Sequence, residues 1–463
     1  MIGREKELSV LEEAYGTKGF QFLVMYGRRR VGKTTILQEF AHRHPCLFFS
    51  AQEKNDALNL QDFSRLIQTR LLGSPVAPFE GWEQALDFIT SRVNPQEKTV
   101  LIIDEFPFLA GQNPSIKSIF QHVIDHAWEG KNIFLILCGS SVSFMINEIM
   151  GYQSPLYGRI TGQMEVQPFS YWEAAAFFPN WNPGQQLLAY GILGGIPRYL
   201  RAFDPGLSLE ENIARKILSP NAFLHDEPQM LLRMELRELG VYNSILEAIA
   251  NGANQVTRIG DRIHESNEKC SKYLQVLQTL RLVQRTVPCG EPERSRKGIY
   301  ELTDFFYTFW YRFVFSRENY NQLLGEKEAA REIMENLPDY MGPVFERICK
   351  QYLQDKARAG KLPFVPAKIG KWWGNNPVLR QQDDVDILAL DRTGTRGLFC
   401  ECKYRNRPLP MEEYEDLLTA TLAFPQIREK YLLFFSKGGY TQPVKERAAR
   451  EGALLLGVED LYS

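Results

Sequence analysis

Short, uninterrupted apolar runs punctuate the first third of the chain. "FQFLVMY" (Phe20 to Tyr26), "TVLII" (Thr99 to Ile103) and "NIFLILC" (Asn132 to Cys138) are rich in aliphatic and aromatic residues. Runs of that length without alternation predict strands buried on both faces, as in a parallel sheet. From about 166 the pattern turns helical, through "YWEAAAFF", "PGQQLLAYGIL", "LEENIARKIL" and "EPQMLLRMELREL". Three further helical segments follow. The first has Ile245, Leu246 and Ile249 on one face and is broken by "NGAN". The second is "VTRIGDRI". The third places Tyr273, Leu274, Leu277 and Leu280 toward the core. "VQRTVPCGEPERSRKGIYELTD" then reads as two strands joined by a charged Pro/Gly loop. "DFFYTFWYRFVF" is nearly all apolar but too short to cross a bilayer. It is expected to pack between its neighbours. "GPVFERICKQYLQDKA" predicts an amphipathic helix with Phe345, Ile348 and Leu353 near one face, and "DVDILAL" and "GLFCECKY" predict a hairpin turning at "DRTGT".

Composition narrows the class. A chain of 463 residues argues for roughly two to four domains. With 44% hydrophobic and 24% charged residues it is an ordinary globular sequence. The formal net charge of -2 means that any nucleic-acid surface must be local. The seven cysteines are scattered, with no CxxC pair. That argues against a disulfide framework or a zinc site and for a reducing compartment. "MIGREKEL" at the start has no basic segment followed by an apolar one, and no apolar run reaches the length of a membrane span. A cytoplasmic protein without a membrane partner is the expectation.

Chemistry enters at "GRRRVGKTT", set between the first strand and the helical "ILQEFAHRH". Gly27, Arg28, Arg29, Arg30, Val31, Gly32, Lys33, Thr34 and Thr35 form a G-x-x-x-x-G-K-T phosphate loop in its required context. The glycines let amides point at phosphates, and the helix dipole adds positive potential. Lys33 supplies a charge to the β- and γ-phosphates of ATP, and Thr34 offers a hydroxyl to Mg²⁺. Asp104 and Glu105 close the "TVLII" strand. Asp104 is expected in the Mg²⁺ shell, and Glu105 is expected to orient and deprotonate water. Ser140 has two readings, a γ-phosphate sensor or an ordinary turn residue. His122 and His126 lack the Glu of a metalloprotease helix and read as structural.

"IGREKEL", "YGRRRVGKTT", "LIIDEFPFL", "LYGR" and "GGIPRYL" together resemble the archaeal and bacterial P-loop ATPases of the AAA/STAND superclass. That resemblance implies that Gly3 and Arg4 lie beside the adenine and that Pro197 reaches the base from a helical lid. It implies that Arg159 approaches the phosphates from the same or a neighbouring subunit of a homo-oligomer, with a surface arginine as the other reading. The expected domains are a P-loop ATPase (residues 1–165), a helical lid (166–238), a winged helix-turn-helix (239–305), an aromatic linker or helix (306–339) and a terminal α/β domain (340–463). The winged helix exposes Arg258, Arg262, Lys269, Lys272, Arg281, Arg294, Arg296 and Lys297 among several acids. DNA contact and an internal brace are its two readings.

The terminal hairpin carries the second candidate site. Along a strand, side chains alternate faces, so Phe399, Glu401 and Lys403 share one face and Cys400, Cys402 and Tyr404 the other. A turn centred near Thr393 and Gly394 puts Asp386 across from Glu401, whereas a slip of one residue would separate them. Two carboxylates can hold a divalent metal while a lysine orients water. The stretch resembles the DUF234 domain often fused to such ATPases, which is similar to PD-(D/E)xK nucleases. The resemblance adds Glu346 as a further acid and puts Asp384 where Glu is common; no Pro directly precedes Asp386. The expected function is an ATP-hydrolysing protein that couples nucleotide state to a DNA-acting nuclease-like domain. Its cofactors would be ATP and Mg²⁺, with a second Mg²⁺ or Mn²⁺ at Asp386 and Glu401. The alternative is a nucleotide-controlled DNA-binding regulator with an inactive terminal scaffold.

Overall fold

The three apolar runs are strands of one parallel sheet. In the computed structural model, which describes residues 2–463, that sheet comprises β1 (Gln21–Tyr26), β2 (Cys46–Ser50), β3 (Thr99–Asp104), β4 (Ile133–Gly139) and β5 (Gly162–Glu165). The order is β2-β3-β4-β1-β5, with every neighbouring pair parallel. Every residue of β4 is buried, as its unbroken apolar run requires. The chain divides into two compact units. The first is the chain through Pro168 together with Ile196–Arg198, and the second is Phe169–Gly195 with Tyr199–Ser463.

The second unit opens with capped helices. Ser170, Asn182 and Ser208 form reciprocal capping boxes with Glu173, Gln185 and Glu211, which satisfies otherwise orphaned amides. Helices Leu239–Ala250, Val256–Ile263 and Asn267–Thr279 precede the antiparallel hairpin of β6 (Val283–Thr286) and β7 (Ile299–Leu302). The aromatic stretch is a helix, Phe305–Phe313, with most of its side chains buried. It belongs to the core: Trp310 Nε1 donates to the His225 carbonyl at 2.6 Å and the Tyr311 hydroxyl to Asn243 Oδ1 at 2.7 Å.

One difference from the expected domains is plain. A single helix, Glu326–Arg358, runs through the boundary drawn at residue 340. Two prolines conceal it in the sequence. Pro338 and Pro343 lie inside the helix, on its exposed side, where a lost backbone bond can be replaced by water. The helix buries Ile333, Leu337, Tyr340, Val344, Ile348 and others at helical spacing. The Tyr340 hydroxyl ties it to the carbonyls of Gly191 and Phe305, and Arg347 grips those of Leu302 and Thr303.

The last sheet comprises β8 (Lys368–Asn376), β9 (Gln381–Leu390), β10 (Arg396–Lys403), β11 (Glu429–Ser436) and β12 (Leu454–Leu456). Its order is β12-β11-β10-β9-β8. β8, β9 and β10 are antiparallel neighbours, and β10, β11 and β12 are parallel.

A close backbone approach gives a stability test. The Phe169 amide donates to the Gly195 carbonyl at 2.8 Å, and a Cβ on Gly195 would come within 1.9 Å of the Phe169 carbonyl oxygen. Gly195→Ala is expected to destabilise the protein by about 1–3 kcal/mol through overpacking. Urea unfolding measures this, and an unchanged midpoint would refute the contact.

Candidate functional site

The loop after β1 curls through positive φ at Gly27 (155°), Arg30 (69°) and Gly32 (98°). Glycine is required at the first of these, where a Cβ would lie 2.5 Å from the Val166 carbonyl oxygen. Gly32 caps the helix Lys33–Arg43, so the first-turn amides open toward the loop. Lys33 is buried, and its ammonium donates to the Gly27 and Arg28 carbonyls at 2.9 and 3.1 Å. Burial holds its pKa below the usual lysine value, against the opposing pull of Cys138, Glu105 and Asp104. An ammonium resting on loop carbonyls gains a charged partner when a phosphate arrives. Thr34 Oγ1 donates to Asp104 Oδ2 at 2.7 Å, and Asp104 Oδ1 accepts the Glu105 amide at 3.0 Å. This hydroxyl and carboxylate are the hard oxygen donors that Mg²⁺ takes. Burial pushes the Cys138 thiol well up, and the nearby Asp104 charge adds to the rise.

The other expected residues have specific places. Glu105 sits in the left-handed region at φ 53°, and its carboxylate accepts the Ser140 hydroxyl at 2.5 Å and the Ser140 amide at 3.3 Å. Ser140 is therefore the partner of Glu105. Arg4 is buried, and its guanidinium joins Glu7, the Gln167 carbonyl and the Val31 carbonyl, each at 2.8 Å. It fastens the phosphate loop from outside. Gly3 beside it has φ 63°. Pro197 lies next to Gly32, its Cγ 3.9 Å from where a Cβ would stand. Arg28, Arg29 and Arg30 are half-buried, and Thr34 and Thr35 are exposed. Arg159 makes a two-point pair with Asp125, both contacts at 2.6 Å, and caps the Pro155 and Tyr157 carbonyls. In this structure its charge is committed to Asp125.

In the second unit, β9 and β10 pair Phe399 with Leu388 and Cys400 with Ile387. The next step of that register brings Asp386 across from Glu401. The ladder ends there. Asp386 Oδ2 accepts the Cys402 amide at 2.9 Å, in place of a strand carbonyl. Its Oδ1 accepts Lys371 Nζ at 3.3 Å, and the same ammonium donates to Glu346 Oε2 at 2.8 Å and lies 3.6 Å from Asp384 Oδ2. Lys403 pairs with Glu401. Cys349, Cys400 and Cys402 are buried. Across the ladder from Lys403, Ser436 holds a buried hydroxyl without a hydrogen-bond partner. Among the described residues no three His, Cys, Asp or Glu side chains are grouped to hold a metal. Lys371 escaped the sequence reading. It lies where the β8–β9 register shifts between Gly370 and Trp372, so alternation could not place it. The available signal was a lysine inside an aromatic strand.

Burial lifts the Glu346 and Glu401 carboxyls to about 7, and the nearby Asp386 charge adds to the rise; Lys371 and Lys403 oppose it. Both lysines stay above their usual value, since the carboxylates outweigh the burial that would lower them. A folded-state carboxyl pKa above the unfolded value stabilises at low pH, and the contribution is lost as pH rises from about 4.5 to about 7. In EDTA, wild-type melting temperature is expected to fall across that window relative to Glu401→Gln. Parallel melting profiles would contradict the shift.

Both ends of the chain match known families. Residues 1–203 match a family described as an ATPase domain predominantly from Archaea. Residues 310–416 match archaeal and bacterial proteins of unknown function, DUF234. An uncharacterised protein of Methanocaldococcus jannaschii is 31% identical over 410 residues, 88% of each chain. Among solved structures, a Walker-type ATPase of Pyrococcus abyssi is 21% identical, covering 67% of this chain and 96% of its own, with a TM-score of 0.49. The ORC2 protein of Aeropyrum pernix, solved in ADPNP–ADP complexes, is 16% identical, covering 72% and 94%, with a TM-score of 0.41. No helix among the described residues is long and apolar enough to cross a membrane. The chain belongs to the family of archaeal and bacterial ATP-binding proteins that join an N-terminal P-loop ATPase domain to a C-terminal DUF234 domain.

Proposed function

We propose that this protein uses ATP binding and hydrolysis to govern a metal-dependent, DNA-cleaving site in its C-terminal domain. The observation that carries the reading is the convergence of Asp386, Glu401, Lys403 and Glu346, from two strands and a helix, on one charged cluster. A divalent ion, when bound, would supply Lewis acidity to the scissile phosphate. Asp386 and Glu401 would hold it, with Glu346 as a further oxygen donor. Lys403, beside Glu401, would orient the attacking water and offset charge on the phosphate. The unpartnered Ser436 hydroxyl across from Lys403 supports a polar ligand there.

In the ATPase domain, Lys33 and the loop amides would receive the phosphates of ATP. Thr34 and Asp104 would hold Mg²⁺, and Glu105 would act on water once Ser140 releases it. Arg159 would serve the phosphates of a neighbouring subunit only after leaving Asp125. The helices from Leu239 to Thr279 and the β6–β7 hairpin would act as a winged helix on the DNA backbone. Lys269, Lys272 and Lys297 each pair with a nearby glutamate. Phosphate binding would therefore fall chiefly to the exposed Arg258, Arg294 and Arg296. A second reading is a nucleotide-controlled DNA-binding regulator with an inactive terminal scaffold. It is favoured by the complete pairing of the cluster with lysines.

The test is incubation with DNA and Mg²⁺ or Mn²⁺, with and without ATP. Glu401→Ala and Lys403→Ala are each expected to lower cleavage on the order of a hundredfold or more while ATP turnover persists. DNA binding without cleavage under every condition would favour the second reading. Separately, Lys33→Ala should abolish ATP turnover, and unchanged turnover would remove the phosphate-loop assignment.

A further inference from the structure

The C-terminal cluster contains a cation that the family-like acids and Lys403 do not account for. Lys371 lies on β8, the edge strand of its sheet. The register with β9 shifts between Gly370 and Trp372, and a bulge of that kind re-aims a side chain. The Lys371 backbone is pinned as well. Its carbonyl accepts the amide of Cys289, from the loop between β6 and β7, at 2.8 Å. Cys289 is buried, and its Sγ donates to the Leu388 carbonyl at 3.2 Å. With its carbonyl held by Cys289, Lys371 directs its ammonium to Glu346 at 2.8 Å, Asp386 at 3.3 Å and Asp384 at 3.6 Å.

We propose that Lys371 is an internal cation that keeps the acid cluster closed to divalent metal, and that a metal enters by displacing it. The inference rests on the metal-site reading above. A divalent ion seeking Glu346 and Asp386 needs the oxygens that the ammonium now occupies, and two cations cannot share that point. Lysine suits the role. Its charge is compact, it rides on a flexible four-carbon stem, and it can swing aside without moving the strand. Lys403 differs, since among the described residues its one carboxylate ion pair is with Glu401. The two lysines thus meet four acids between them, and the cluster admits metal only against competition.

Mn²⁺ titration calorimetry on the nucleotide-free, full-length protein tests this, with melting temperature with and without Mn²⁺ as the second readout. Lys371→Met and Lys371→Gln are each expected to bind Mn²⁺ at least tenfold more tightly than wild type and to gain more thermal stabilisation from it. Lys371→Arg should stay near wild type, and Asp386→Asn should lose the binding. Equal or weaker binding in both neutral variants, with wild-type binding still dependent on Asp386, overturns the inference and leaves the metal site standing. Absence of any Asp386-dependent Mn²⁺ binding overturns both.

Discussion

A charge taken out of water must be neutralised where it lands, and both candidate sites are arranged by that constraint. In the ATPase domain, Lys33 is buried on loop carbonyls, and Asp104 is met by Thr34 and the Glu105 amide. In the C-terminal domain, Glu346, Asp386 and Glu401 are met by Lys371, Lys403 and the Cys402 amide. Each charge is therefore held in place by a neighbour from its own domain.

The parallel sheet was legible because strands buried on both faces are apolar along most of their length, and β1, β3 and β4 are. β2 is only half-buried, and β5, "GQME", has little apolar content, so neither announced itself. The C-terminal hairpin was legible for a different reason. A turn centred near Thr393 and Gly394 sets the β9–β10 register, and that register carries Asp386 to Glu401. What escaped depends on contacts between distant segments. The bulge that places Lys371 follows from pairing, and the bond between Glu105 and Ser140 depends on β3 and β4 lying side by side.

The helix Glu326–Arg358 explains why domain boundaries were hard to draw. Proline is a helix breaker on average, yet Pro338 and Pro343 lie inside this helix. Tertiary contacts prevail. Tyr340 and Arg347 bind four carbonyls from segments before the helix, while Glu346, one residue from Arg347, faces the cluster. The element that anchors the helical region also supplies an acid to the C-terminal site.

The bond from Cys289 to Lys371 has another bearing. β8 is an edge strand, and an uncovered edge offers its backbone groups to another chain. The opposite edge is guarded by brevity, since β12 has three residues. β8 has nine, and the β6–β7 loop covers it at Lys371. A loop more than seventy residues upstream thus takes one of this edge's backbone groups out of reach of another chain.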